Sequence, residues 1–199
     1  MASKQTILND RTTTYATAGD FCRIFKEEMT DLYSLALMLV ADAAKAEQLF
    51  VSGLDDCASS NPVFKEWASS WARRTIVKNA VRLIAPQPVS PKRALNAAVS
   101  SDAINRSLPE LPAEISAVVG LSPFERFAFV LSVLEGYSDQ DSALLLSCTR
   151  QALIAARVRA EQQIARTVAI QESGRSDNKP NSQESAINLA VSMPLAVPA

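Results

Sequence analysis

Five side chains in one stretch have the types and spacing to hold nucleic acid: Trp67, Trp71, Arg74, Lys78 and Arg82, at steps of four, three, four and four. On a helix those steps make one drifting stripe, with indoles at one end and cations at the other. Unpaired bases stack on aromatic rings at roughly 1–3 kcal/mol each, while cations hold the phosphates. The competing reading places both indoles in a core and leaves the cations on a solvated face. A second cation set, Arg150, Arg157, Arg159 and Arg166 with the polar Gln151, lies later in the chain against Glu161. Such residues meet phosphates and position a helix, although phosphate contacts carry no sequence information directly. They also fit the solvated face of an amphipathic helix.

Other chemistry is excluded by what is missing. The 199 residues include no histidine, so a Ser-His-Asp triad, a Cys-His dyad and an HExxH metal site are all ruled out. Gly19, Gly53, Gly120, Gly136 and Gly174 are too scattered for a P-loop or a dinucleotide-binding loop. Asp55-Asp56 and Glu27-Glu28 are adjacent, so their side chains diverge on a helix and cannot act as a facing acid–base pair. No catalytic residue, metal ligand or cofactor is expected; the composition describes a binding protein rather than an enzyme. Cys22, Cys57 and Cys148 are odd in number and far apart, which reads as small buried hydrophobes in a reducing compartment. No apolar signal segment opens the chain, and runs such as Leu35–Ala41 and Phe127–Leu134 fall far short of a membrane span. A cytoplasmic protein with no membrane partner is expected.

Positioning these residues falls to helices, because no segment alternates as a strand does. From Asp20, Phe21, Ile24, Phe25, Met29, Leu32, Ala36, Leu39 and Val40 recur at helical steps and predict one helix over 20–40. Asp42 caps a second, with Ala46, Leu49, Phe50, Gly53, Leu54 and Cys57 on its inner face. Asn61-Pro62 opens a third, which carries the Trp–cation stripe and is stopped by Pro86, Pro88 and Pro91. A short helix follows near Ala113–Val119, then one opened by the S-x-x-E pattern Ser122–Glu125 and closed by Gly136. Ser138–Asp141 starts a further short helix, Ser147-Cys148-Thr149 breaks it, and Thr149 caps a long helix to about Ile170. A short helix, a three-residue turn and a longer second helix make the outline of a helix-turn-helix.

The fold class read from the sequence is all-α, with two small helical domains joined by a proline-rich linker. Residues 1–19 read as a flexible arm, 20–85 as the first helical domain and 86–112, with five prolines, as the linker. That linker is expected to hold a short helix around Lys92–Ser107. Residues 113–170 form the helix-turn-helix domain, and the Ser/Asn/Gln-rich 171–199 a disordered tail.

In this order the motifs resemble bacterial RNA polymerase sigma factors of the sigma-70 family, in particular the extracytoplasmic-function subgroup. Leu121–Phe127 through Glu135-Gly136-Tyr137-Ser138 is similar to the opening of the family's region four, and Arg157-Val158-Arg159-Ala160 sits where its closing run falls. Asp42-x-x-x-Ala46-Glu47-x-Leu49 is similar to D-x-x-x-A-E-D-L of region two, and Phe64-x-x-Trp67…Ala72-Arg73 to F-x-x-W…A-R. The resemblance spans roughly residues 20–168. It implies a protein that binds core RNA polymerase and promoter DNA, with Asp42, Glu47, Gln48 and Leu49 toward polymerase. Region two would also meet melted DNA, and region four would read the upstream promoter element; an anti-sigma or other regulatory partner fits the same family.

Departures from the family are concentrated at the two binding faces. Gln48, Val51 and Ser52 stand where polymerase-docking residues are acidic or a Gln-Glu pair. The recognition helix reads Gln151-Ala152-Leu153-Ile154-Ala155-Ala156 in place of a polar, cationic run. Alanine and isoleucine touch a thymine methyl but cannot hydrogen-bond a base edge. The alternative is therefore a divergent helical regulator that works through protein contacts, with Ile154 and Ala155 on the contact surface. Residues 1–85 carry ten cations and ten anions, and 118–170 five of each, so DNA binding depends on local clusters rather than on the net charge of −1.

Overall fold

A computed structural model describes residues 14–59, 62–88 and 111–176, with side chains omitted at 113–114 and 170–176. Most of the described residues are helical, joined by turns and short irregular links, with one isolated backbone bridge and no strand among them. In chain order the helices are α1 Ala18–Glu27, α2 Met29–Val40, α3 Ala43–Ala58, α4 Ala68–Ile84, α5 Ala113–Val119, α6 Pro123–Phe129, α7 Asp139–Leu145 and α8 Arg150–Ser176. Lys65–Trp67 forms a 3-10 turn before α4, and Val130–Leu134 a π-helical turn after α6. The all-α expectation is met.

Local chemistry explains most of the boundaries. Thr17 and Asp20 form a reciprocal capping box: Asp20 N–H donates to Thr17 Oγ1 at 3.2 Å and Thr17 N–H to Asp20 Oδ2 at 2.9 Å. These bonds hold the Asp20 carboxyl below the ordinary carboxylate range, with Lys65 adding to the effect. Asp42 accepts from Lys45 N–H at 3.0 Å, Ser138 from Asp141 N–H at 3.1 Å and Thr149 from Ala152 N–H at 3.1 Å, as expected of N-caps. Ser122 behaves differently: its hydroxyl donates to Glu125 Oε2 at 2.7 Å, and Pro123 supplies the first helical position.

Several sequence expectations are corrected. The helix over 20–40 is two helices, broken at Glu28 without glycine or proline; the Glu28 carboxylate is drawn to Ser69 Oγ on α4, 2.9 Å away. The arm gives up residues 14–19 to the fold: Tyr15 bridges Phe64, and Ala16 N–H donates to Val63 C=O at 2.7 Å. That pairing holds 63–64 extended, so the third helix starts at Ala68, later than Pro62. The last helix continues to Ser176, which takes 171–176 out of the tail. Cys22 is exposed, on the outer face of α1, whereas Cys57 is buried and desolvation raises its thiol pKa. Residues 1–13, the helix foreseen at Lys92–Ser107 and the remaining tail lie outside the described residues.

The helices pack around one hydrophobic cluster that takes side chains from both halves of the chain. Phe21, Phe25, Leu32, Leu35, Leu39, Leu49, Ile76 and Val77 contribute from the first half, and Phe124, Phe127, Leu131 and Leu153 from the second. Gly53 lets α3 approach closely, because a Cβ there would lie 3.1 Å from Ile76 Cγ1 and 3.6 Å from Phe25 Cζ.

Two polar contacts join the halves across this core. Arg126 on α6 is 3 % exposed, and its Nε donates to Leu39 C=O at the end of α2, at 3.1 Å. Its Nη1 donates to Val119 C=O and Leu121 C=O at 3.2 and 3.1 Å. Desolvation pulls the guanidinium pKa down to about 10, still well above neutrality, so the group is buried as a cation. It sits among carbonyls at helix C-terminal ends, where the backbone dipoles favour positive charge. The second contact is a two-pronged pair: Arg73 Nε donates to Glu135 Oε2 at 3.0 Å and Arg73 Nη2 to Glu135 Oε1. Only 7 % of the Glu135 side chain is exposed, against 34 % for Arg73.

Candidate functional site

The unit α6–α7–α8 places the helix-turn-helix residues. Ser147, at φ 50, makes the sharp break after α7, and Thr149 restarts the chain as α8. Leu153, Ala156 and Ala160 on the inner face of α8 are fully buried, packed mainly on α6, which fixes the rotation of α8 about its axis. Arg150, Gln151, Ala155, Arg159 and Arg166 are consequently exposed. Val158 is exposed with them, and Ile154 is half-buried.

The α8 cations are engaged to different degrees. Arg157 Nη1 donates to Asp139 Oδ1 on α7 at 2.6 Å, and Arg150 Nη2 lies 3.7 Å from Asp139 Oδ2. Arg159 Nε donates to Glu125 Oε1 on α6 at 2.8 Å. Three of the foreseen phosphate contacts, Arg150, Arg157 and Arg159, thus form ion pairs within their own half. The Arg157 and Arg159 pairs brace α8 against α7 and α6.

The Trp–cation stripe is divided by the fold. Trp67 stands in the 3-10 turn, 58 % exposed, with its ring edge-on to Phe64 at 5.2 Å; Phe64 stacks on Tyr15 at 4.8 Å. Arg82 sits at the other end of α4, its Nη1 3.3 Å from Asn79 Oδ1, beside a groove shared with Gln48, Ser52 and Asp56. Only the middle of the stripe is brought together: Trp71, Arg74 and Lys78 line one wall of a groove between α4 and the α7 unit. Trp71 is half-buried, and its Nε1 is buried without an acceptor.

The four polymerase-side residues do not form one exposed patch. Asp42 is occupied as the N-cap of α3, where the Lys45 N–H holds its carboxyl below the ordinary range. Leu49 is 2 % exposed and belongs to the core. Glu47 and Gln48 remain on the surface.

Sequence reasoning missed the far wall of the groove, made by Tyr137, Asp141, Leu144 and Leu145. Burial raises the Tyr137 hydroxyl pKa, and Arg74 and Arg73 nearby offset this in part, so the hydroxyl stays a donor at neutral pH. It also missed Arg126 as the joint between the halves. A signal existed: Phe124, Phe127 and Val130, all buried, form an apolar stripe on α6 and the turn after it, and Arg126 lies at the edge of that stripe. Among the described residues no group of His, Cys, Asp and Glu is arranged to hold a metal ion, and no helix is long and apolar enough to cross a membrane. No family model matches the chain, and no curated protein matches it.

Proposed function

We propose that this chain is a sigma-factor-like transcription initiation protein that binds core RNA polymerase and promoter DNA through the helix-turn-helix of α7 and α8. On this reading residues 20–85 and 113–170 are region-two-like and region-four-like units. The observation that carries it is the α7–turn–α8 unit, with its inner face locked by Leu153, Ala156 and Ala160 and its outer face presenting Arg150 and Gln151. A second helix braced in this way is the element that enters a major groove. The resemblance of the ordered motifs to the extracytoplasmic-function subgroup supplies the polymerase partner.

One observation favours the second reading, a regulator that works through protein contacts with little DNA binding. Arg157 and Arg159 are held by Asp139 and Glu125, and the neighbouring outward residues Ala155 and Val158 are apolar. Mixing the protein with core polymerase on a native promoter distinguishes the two: run-off transcripts are expected, and no association with core at low salt overturns the proposal. Asp139→Asn releases both Arg150 and Arg157. It is expected to tighten binding to any duplex and steepen the log affinity–log salt slope by about 0.9 per freed cation. An unchanged slope removes α8 as the DNA-facing element.

A further inference from the structure

The groove between α4 and the α7 unit has a volume of about 530 Å³, within the roughly 300–1,000 Å³ range of small-molecule sites. Its lining combines an apolar surface, Trp71, Leu144 and Leu145, with Arg74 and Lys78 on one wall and Tyr137 and Asp141 on the other. Leu144 is 68 % exposed, a large aliphatic side chain held in solvent at the groove.

We propose that this groove binds a nucleoside monophosphate, with the base against Trp71 and Leu145 and the phosphate held by Arg74 and Lys78. Charge is the first argument. Arg74 and Lys78 are four apart on α4, so they point the same way, and neither forms an ion pair among the described residues. The lining sets two cations against one acid, Asp141, whose Oδ2 accepts from Ser138 Oγ at 2.7 Å. The wall therefore holds a surplus of cationic donors suited to one multivalent oxyanion, and arginine's planar fork matches phosphate oxygens in pairs. The opposite wall supplies a hydroxyl donor at Tyr137 and carboxylate acceptors at Asp141, the complement of a base edge.

The fold also argues for one nucleotide rather than a strand. A strand needs a track of stacking rings and cations along its length. Here the residues that would extend the track are elsewhere: Trp67 belongs to the aromatic cluster with Tyr15 and Phe64, and Arg82 faces the groove of Gln48 and Asp56. One ring, Trp71, beside one pair of cations, Arg74 and Lys78, matches one base and one phosphate. Such a ligand touches both halves of the chain, so its binding adds to the Arg73–Glu135 and Arg126 contacts that hold them together.

Calorimetric titration of the full chain with AMP, GMP, CMP and UMP tests this. At least one is expected to give a saturable single-site heat, with adenosine and ribose 5-phosphate each at least about tenfold weaker because each lacks one half of the recognition. The double variant Arg74→Ala/Lys78→Ala is expected to bind at least about tenfold more weakly with unchanged circular dichroism. Leu144→Glu, at an exposed position that leaves the core intact, places a carboxylate at the groove and is expected to weaken binding as well. No saturable heat from any nucleotide overturns the proposal, as does inorganic phosphate binding equally well or retention of full affinity by both variants. Binding of a single-stranded oligonucleotide without any mononucleotide binding also overturns it and assigns the groove to a strand. Because the assay contains neither polymerase nor duplex, its outcome is separate from that of run-off transcription.

Discussion

Replacing Arg126 by methionine removes the cation that joins the halves and leaves its three acceptors in place. Leu39, Val119 and Leu121 contribute backbone carbonyls, which no side-chain substitution can take away. A hydrogen bond from a charged donor contributes roughly 1.5–3 kcal/mol, so three such bonds are a large gross term. Against it stands the desolvation of the guanidinium: a pKa lowered from 12.5 to about 10 corresponds to roughly 3 kcal/mol against the charged form. Methionine recovers that cost and much of the packing, but orphans three buried oxygens. The net expectation is a loss of about 3 kcal/mol, or about 6–12 °C in Tm for a chain of this size. Urea unfolding followed by circular dichroism reads the change. A fall in the apparent m-value is expected too, because the halves no longer unfold as one unit. Arg126→Lys, with one nitrogen in place of the fork, is expected to lie between the two. A methionine variant within about 0.5 kcal/mol of the parent would refute the reasoning, since the carbonyls must then find other donors.

Other expectations follow from the same contacts. Glu135→Gln keeps the shape of the Arg73 partner but removes its charge; a loss of roughly 1–2 kcal/mol is expected, between surface and fully buried pairs, and it should shrink in high salt for the parent alone. Gly53→Val drives a branched side chain into Ile76 and Phe25 and is expected to cost about 1–3 kcal/mol in urea unfolding, even though valine is the better helix former. The capping carboxylates Asp20 and Asp42 have folded pKa values below their ordinary 3.8. Their stabilisation is therefore present above about pH 4 and is lost as pH falls through the lowered values. Thr17→Ala, which removes the hydroxyl bonded to Asp20 but keeps the backbone N–H at that position, should flatten part of that acid limb in a pH series of thermal melts.

Much of the helical scaffold was legible because it rests on near-neighbour rules. The caps at Asp42, Ser138 and Thr149, the αL residue Gly136 at φ 67 and the span Ala113–Val119 each follow from residues within a turn or two. Where a distant residue intervened, the reading failed. The first helix breaks at Glu28, whose carboxylate accepts from the distant Ser69 Oγ, and the third starts only after Phe64, which is paired with Tyr15.

The sites divide along the same line. Helical spacing alone puts Trp71, Arg74 and Lys78 on one face, and the burial of Leu153, Ala156 and Ala160 is legible as an apolar stripe. No spacing rule shows that Asp139 and Glu125 take up Arg157 and Arg159, or that Tyr137, Asp141 and Leu144 close a groove over α4. The sequence by itself determined most of the residues that turn inward within each helix, because periodicity and caps act over a few residues; Met29 and Val133, on the same apolar stripes, are instead 57 % and 45 % exposed. Only the tertiary structure decided which outward residues are free, because a salt bridge or a groove wall is a meeting of side chains far apart in the chain.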